Sequence, residues 1–134
     1  MQETYSLGGQ RAKRAVAAGA QFTVAPGLDL NIVRLSQDLA VPHLPGVATS
    51  TEIDTALKAG LTWLKAFPAS VLGPEWVRGQ LAPFPEARFI ATGGMGAGNA
   101  RAFLDSGCRA VAIGSAFGDP AQLKKLIHAG LLPE

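Results

Sequence analysis

Five times along this chain a short apolar run gives way to glycine or proline and then to a helical pattern. The runs occupy residues 21–24, 40–44, 62–67, 88–91 and 110–113, and their ends fall at Pro26, Pro45, Phe67, Thr92 and Ser115, spaced by 19, 22, 25 and 23 residues. That regularity restricts the fold more than any other feature. Parallel strands cannot be joined by a hairpin and need a crossover, usually a helix, so a repeating βα unit predicts a parallel sheet covered by helices. Strands buried on both faces read as apolar runs rather than clean alternations, as these do. An open doubly wound sheet and part of a (β/α)8 barrel both satisfy the pattern. A complete barrel takes about 200 residues or more, which exceeds the 134 present. Either way, the chemistry is expected at the C-terminal strand ends.

The helices are predicted over 10–18, 30–37, 50–58, 74–81, 97–104 and 120–129. Ser50 or Thr51 is expected to cap the third, with Thr51-Glu52-Ile53-Asp54 resembling a capping box. Pro74 suits the first turn of the fourth. The chain is expected to be one domain, with residues 1–9 a poorly ordered or degenerate N-terminal segment. Twelve basic against ten acidic residues leave a charge of +2, too small to argue for nucleic acid. One cysteine, Cys108, excludes an intrachain disulfide and fits a reducing compartment. No apolar run approaches membrane-spanning length, and no basic-then-apolar leader opens the chain. A cytoplasmic protein is the expectation.

The central strand carries an anomaly. In Thr62-Trp63-Leu64-Lys65-Ala66-Phe67-Pro68, alternation places Trp63, Lys65 and Phe67 on one face and Leu64 and Ala66 on the other. Burying an unpaired ammonium is costly, and the usual response is a depressed pKa that leaves a nucleophilic amine. A gatekeeper lysine on an edge strand would instead snorkel to water. Two glycine-rich loops, Thr92-Gly93-Gly94-Met95-Gly96 and Gly114-Ser115-Ala116, follow successive later strands. Such loops turn backbone N–H groups toward a bound anion, and loops after the last strands of barrels often hold phosphate. No G-x-G-x-x-G opens the first unit, so a dinucleotide site is not indicated. His43 reads as structural, His128 as solvated, Cys108 as inert packing and Trp63 as barrel filling.

Read in order, Ala18-Gly19-Ala20-Gln21-Phe22, Ala25-Pro26-Gly27-Leu28, Pro45-Gly46-Val47-Ala48-Thr49, Leu64-Lys65-Ala66-Phe67-Pro68-Ala69, Pro83-Phe84-Pro85 and Thr92-Gly93-Gly94 resemble the 2-keto-3-deoxy-6-phosphogluconate (KDPG) aldolase family. The resemblance covers about residues 10–120. It implies a partial (β/α)8 TIM barrel of about five parallel strands, corresponding to family strands four to eight. It further implies a class I aldolase that cleaves the phosphorylated sugar acid to pyruvate and glyceraldehyde 3-phosphate. Lys65 would form the Schiff base, Pro26 and Phe67 would line the pyruvate pocket, and Thr92, Gly93, Gly94, Gly114 and Ser115 would hold the substrate and its phosphate. No cofactor or metal is implied, and a homo-oligomer, commonly a trimer, is.

The departures are specific. The family's first two strands lack a counterpart, and with them go the glutamate that serves as general acid/base and a nearby arginine. Thr4 could stand in for the threonine of the Gly-Thr motif that ends the family's third strand, but Met1 to Gly9 aligns poorly. Ser70 stands where the family has glutamate, and Met95-Gly96 where it has Ile-Ser. Glu52, Glu75 and Glu86 are expected away from the strand ends, leaving Asp29 as the carboxylate to consider. The chain therefore reads as the C-terminal piece of an aldolase barrel. The alternatives are a non-catalytic phosphate-binding remnant that persists through self-association or a partner, and a thiamine-phosphate-synthase-like barrel, against which the Lys-x-Phe-Pro-Ala run argues.

Overall fold

The computed structural model describes residues 7–114 and 119–130. Every strand pairing in it is parallel. The elements are α1 (Leu7–Ala17), β1 (Thr23–Val24), α2 (Leu30–Asp38), β2 (His43–Leu44), β3 (Gly46–Val47), α3 (Ser50–Lys58), β4 (Trp63–Ala66), α4 (Ala69–Leu72), α5 (Pro74–Leu81), β5 (Arg88–Thr92), α6 (Ala100–Asp105), β6 (Ala110–Ala112) and α7 (Pro120–His128). β1 pairs with β2, and β3, β4, β5 and β6 form a four-stranded sheet in that order. Only Pro45 separates β2 from β3. Proline has no N–H to give to a ladder, yet its carbonyl still accepts from the Lys65 amide at 2.9 Å. The two sheets are thus one run of five strand positions, added in sequence order as in a barrel.

Several local expectations change. Pro45-Gly46 does not end the second strand, because Gly46 and Val47 resume pairing, with Lys65 and Ala66. The cap of α3 is Thr49, not Ser50 or Thr51. Its hydroxyl meets the Glu52 amide at 3.3 Å, while Glu52 Oε1 accepts from the Ala48 amide at 3.1 Å and from the Thr49 hydroxyl at 2.9 Å. A reciprocal Ser/Thr-x-x-Glu pair selects the start, and Asp54, from the expected box, instead pairs with Lys58 one turn on. The short α4 follows Pro68, where a loop was expected. Helix α6 begins at Ala100 rather than 97, because Asn99 ties back the preceding loop. Helix α1 begins at Leu7, inside the segment that showed no periodicity.

The core lies between the sheet's outer face and the helices. Leu64, Ala66, Phe89 and Ala91 point outward from β4 and β5 and pack with Ile53 and Ala56 of α3, Val77 of α5 and Phe103 of α6. Trp76 secures α5 by donating its indole N–H to the Ala48 carbonyl at 3.1 Å and meeting Phe89 edge-on at 5.3 Å. Burying each of the larger side chains, Leu64, Phe89, Ile53, Val77 and Phe103, contributes about 1.5–3 kcal/mol. Cys108 is buried, and desolvation pushes its thiol up to about 11, which makes it unreactive. Among the described residues, no helix is long and apolar enough to cross a membrane.

Candidate functional site

Pairing fixes which side chains share the inner face. Lys65 lies opposite Gly46 on one side and Ile90 on the other, and Thr92 lies opposite Ala112. Alternation then puts Trp63, Lys65, Ile90, Thr92 and Ala112 on the inner face, away from the helices. Trp63 lies there with Arg88 5.7 Å from its ring centre, and it is 42% exposed. The Lys65 Nζ sits 4.3 Å from the centre of the Phe67 ring. Burial lowers its pKa below the ordinary 10.5, toward a free amine.

The loops at this end are locked together by backbone contacts. The Ser70 amide donates to the Gly93 carbonyl at 3.1 Å, joining the β4 and β5 loops. Gly93 has φ +94°, and a Cβ there would stand 3.1 Å from the Phe67 ring. Gly46 meets the carbonyl of Pro26 so closely that a Cβ would overlap it, and its amide donates to the Gly27 carbonyl at 3.2 Å. Glycine at these positions is what lets Pro26, Phe67 and Gly93 converge around the end of β4.

Two hollows lie beside this cluster. One, of about 310 Å³, is lined by Thr92, Gly93, Gly94, Met95, Ala112 and Gly114, so the structure brings together all the expected phosphate-loop residues except Ser115, which lies outside the described residues. The other, of about 520 Å³, follows the Gly94–Asn99 loop and includes Asp119 and Gln122. Asn99 braces that loop by accepting from the Gly96 amide and donating to the Gly94 carbonyl, both at 2.9 Å. Spacing alone did not single out Asn99, although its place just ahead of a helical pattern is a recognisable cap position.

The other candidates resolve into structural roles. Asp29 caps α2, accepting from the Asn31 amide at 2.8 Å. Glu52 closes the cap of α3, and Glu75 pairs with Arg78 on the surface. His43 is buried on the outer side, its Nδ1 2.9 Å from the Thr23 hydroxyl, with a pKa lowered by desolvation and partly restored by Asp29. His128 is exposed on α7. Among the described residues, no carboxylate lines the hollow formed by Thr92, Gly94 and Gly114.

The family model for KDPG and KHG aldolase matches residues 5–129. The chain belongs to that family. A 2-dehydro-3-deoxy-phosphogluconate aldolase of Treponema pallidum (strain Nichols) is 39% identical over 114 residues, which is 84% of this chain and 54% of that protein. The native KDPGal structure superposes with a TM-score of 0.80 at 27% identity, covering 95% of this chain and 68% of that one. KDPG aldolase from Legionella pneumophila, with pyruvate captured at low pH as a covalent carbinolamine intermediate, gives 0.79 at 25% identity over 92% and 63%. The chain thus spans about half the length of the curated relatives it matches. Its fold is a parallel α/β sheet forming part of an aldolase-type barrel.

Proposed function

We propose that this chain carries the Schiff-base half of a class I aldolase acting on 2-dehydro-3-deoxy-6-phosphogluconate. The observation that carries the proposal is the placement of Lys65. Among the described residues its amine makes no hydrogen bond or ion pair; its pKa is lowered, and it lies on the sheet's inner face, where the Pro26, Phe67 and Gly93 loops converge. The carbinolamine trapped in the Legionella relative is the first covalent stage of the same chemistry.

The Lys65 amine adds to the C2 ketone, and the carbinolamine loses water to give an iminium. Loss of the C4 hydroxyl proton breaks the C3–C4 bond, whose electrons flow into the iminium and leave an enamine of pyruvate. Glyceraldehyde 3-phosphate departs, the enamine is protonated at C3, and water hydrolyses the iminium to release pyruvate and the lysine. Pro26 and Phe67 enclose the pyruvyl part. Thr92, Gly93, Gly94 and Gly114, with Ser115 after them, take the phosphate in the smaller hollow. Asp119 disfavours the larger hollow, since it adds a carboxylate to an anion site. Thr92 lies two residues beyond Ile90, the register partner of Lys65, so about 7 Å further along the sheet. The ketone-to-phosphate span of an extended six-carbon acid is of the same order.

The weak step is proton transfer. A positioned acid/base contributes about 10²–10⁴-fold, and Asp29, Glu52 and Glu75 are engaged elsewhere. The whole chain acts as one incomplete barrel domain, in the cytoplasm. Self-association into a homo-oligomer belongs to the same reading. Pyruvate release from the phosphorylated acid, followed with a coupled lactate dehydrogenase assay, tests the proposal. Turnover is expected about 10²–10⁴-fold below that of a full-length relative and undetectable in Lys65→Arg. A Lys65→Arg variant with the wild-type rate would remove Lys65 from the mechanism.

A further inference from the structure

Two successive peptide units in the loop after β5 are gripped by their carbonyls. The Gly93 carbonyl accepts from the Ser70 amide of α4 at 3.1 Å, and the Gly94 carbonyl accepts from the Asn99 side-chain amide at 2.9 Å. In a trans peptide the N–H points opposite to the C=O. The Gly94 amide is therefore turned away from α4, and the Met95 amide away from Asn99. Neither amide meets an acceptor among the described residues. Met95 is only 6% exposed, and a backbone donor left unpaired at a buried residue costs free energy until something accepts from it. Asn99 also accepts from the Gly96 amide at 2.9 Å. One side chain thus spans the turn from residue 94 to 96 and takes Gly96 out of the donor set. Gly93 and Gly94 have φ +94° and +69°, and a Cβ on Gly94 would run into the Ser70 side chain. The turn depends on these contacts for its shape.

Resting on the aldolase reading above, we propose that Asn99 is a positioning residue for the substrate phosphate. It fixes the Gly94 and Met95 amides as adjacent donors aimed into the smaller hollow, of about 310 Å³. Gly94 and Met95 border both hollows, whereas Asn99 lines the larger one and not the smaller. Amides turned from Asn99 on one side and from α4 on the other are left facing Ala112 and Gly114 across the smaller hollow. Adjacent backbone N–H groups make an anion-binding concavity that needs no cationic side chain. That suits a hollow whose described lining residues include no lysine or arginine.

The test titrates the 134-residue chain with inorganic phosphate and follows its amide signals by nitrogen-15 NMR. The Gly94 and Met95 signals are expected to shift together and to saturate. Asn99→Ser keeps a cap residue ahead of α6 and adds no charge, but loses the amide that reaches Gly94. Its phosphate affinity is expected to fall about tenfold, while pyruvate trapping on Lys65 keeps the wild-type rate, because pyruvate carries no phosphate. A merely structural role would slow trapping as well. Unchanged phosphate affinity in Asn99→Ser, an equal loss of trapping, or Gly94 and Met95 signals indifferent to phosphate would overturn the proposal. The last of these is read on the unaltered chain and stands if Asn99→Ser fails to fold. It is also independent of Lys65, so a chain that binds phosphate at Gly94 and Met95 but traps no pyruvate contradicts the aldolase reading and supports this one.

Discussion

Lys65 is subject to two opposing influences. The face of Phe67, 4.3 Å away, favours the ammonium, while desolvation disfavours it. Burial lowers the pKa below 10.5, and the ring acts against that fall. Its sign sets a pH dependence. The free amine gains population as pH rises through the lowered pKa, so the rate of pyruvate adduct formation should climb with a midpoint below that of an ordinary lysine. Phe67→Leu, which removes the ring's attraction for the ammonium, should move the midpoint lower still. Trapping rates measured against pH check both, and a midpoint at or above 10.5 would contradict the assignment. Stability follows the same sign. The unfolded lysine keeps its proton to higher pH, so the cost of the buried charge is present below the folded pKa and disappears across the interval up to the ordinary value. The face that Lys65 occupies was legible from alternation alone. Asp29 stands just before the helix predicted from residue 30, a recognisable cap position, but it is weighed above only as a candidate acid, and the structure shows it used as the cap of α2.

Among the elements, β3 and the β1–α2 loop are matched through Gly46. A Cβ at that position would overlap the Pro26 backbone carbonyl, whereas one at Gly98 would meet nothing within 4 Å. Gly46→Ala should therefore destabilise the fold by about 1–3 kcal/mol, and Gly98→Ala should change it little. Denaturant midpoints of the two variants make the comparison, and equal midpoints would mean that the contact does not matter. The helices at 30–37 and 74–81 were readable because apolar periodicity and Pro74 mark them directly. The second strand was misread at Pro45: a residue without an N–H interrupts the ladder, but its carbonyl still pairs and the strand resumes. Helix α4 escaped notice because a single turn is too short to show a period.

At the scale of the molecule, the βα repeat was enough to give the parallel sheet and the end of it that holds the site. It could not give the closure of the barrel, because closure depends on strands beyond the five described. The same limit separates the two parts of the chemistry. The nucleophile, its aromatic neighbour and the glycine loops lie on the strands described here, while proton transfer needs a group that those strands do not bring to Lys65. The chain should consequently form the covalent intermediate more readily than it completes the cleavage. Incubation with pyruvate, borohydride reduction and peptide mass mapping test this most directly. A reduced pyruvyl adduct on Lys65 is expected, absent from Lys65→Arg. An unmodified Lys65, or an adduct confined to other lysines, would contradict it.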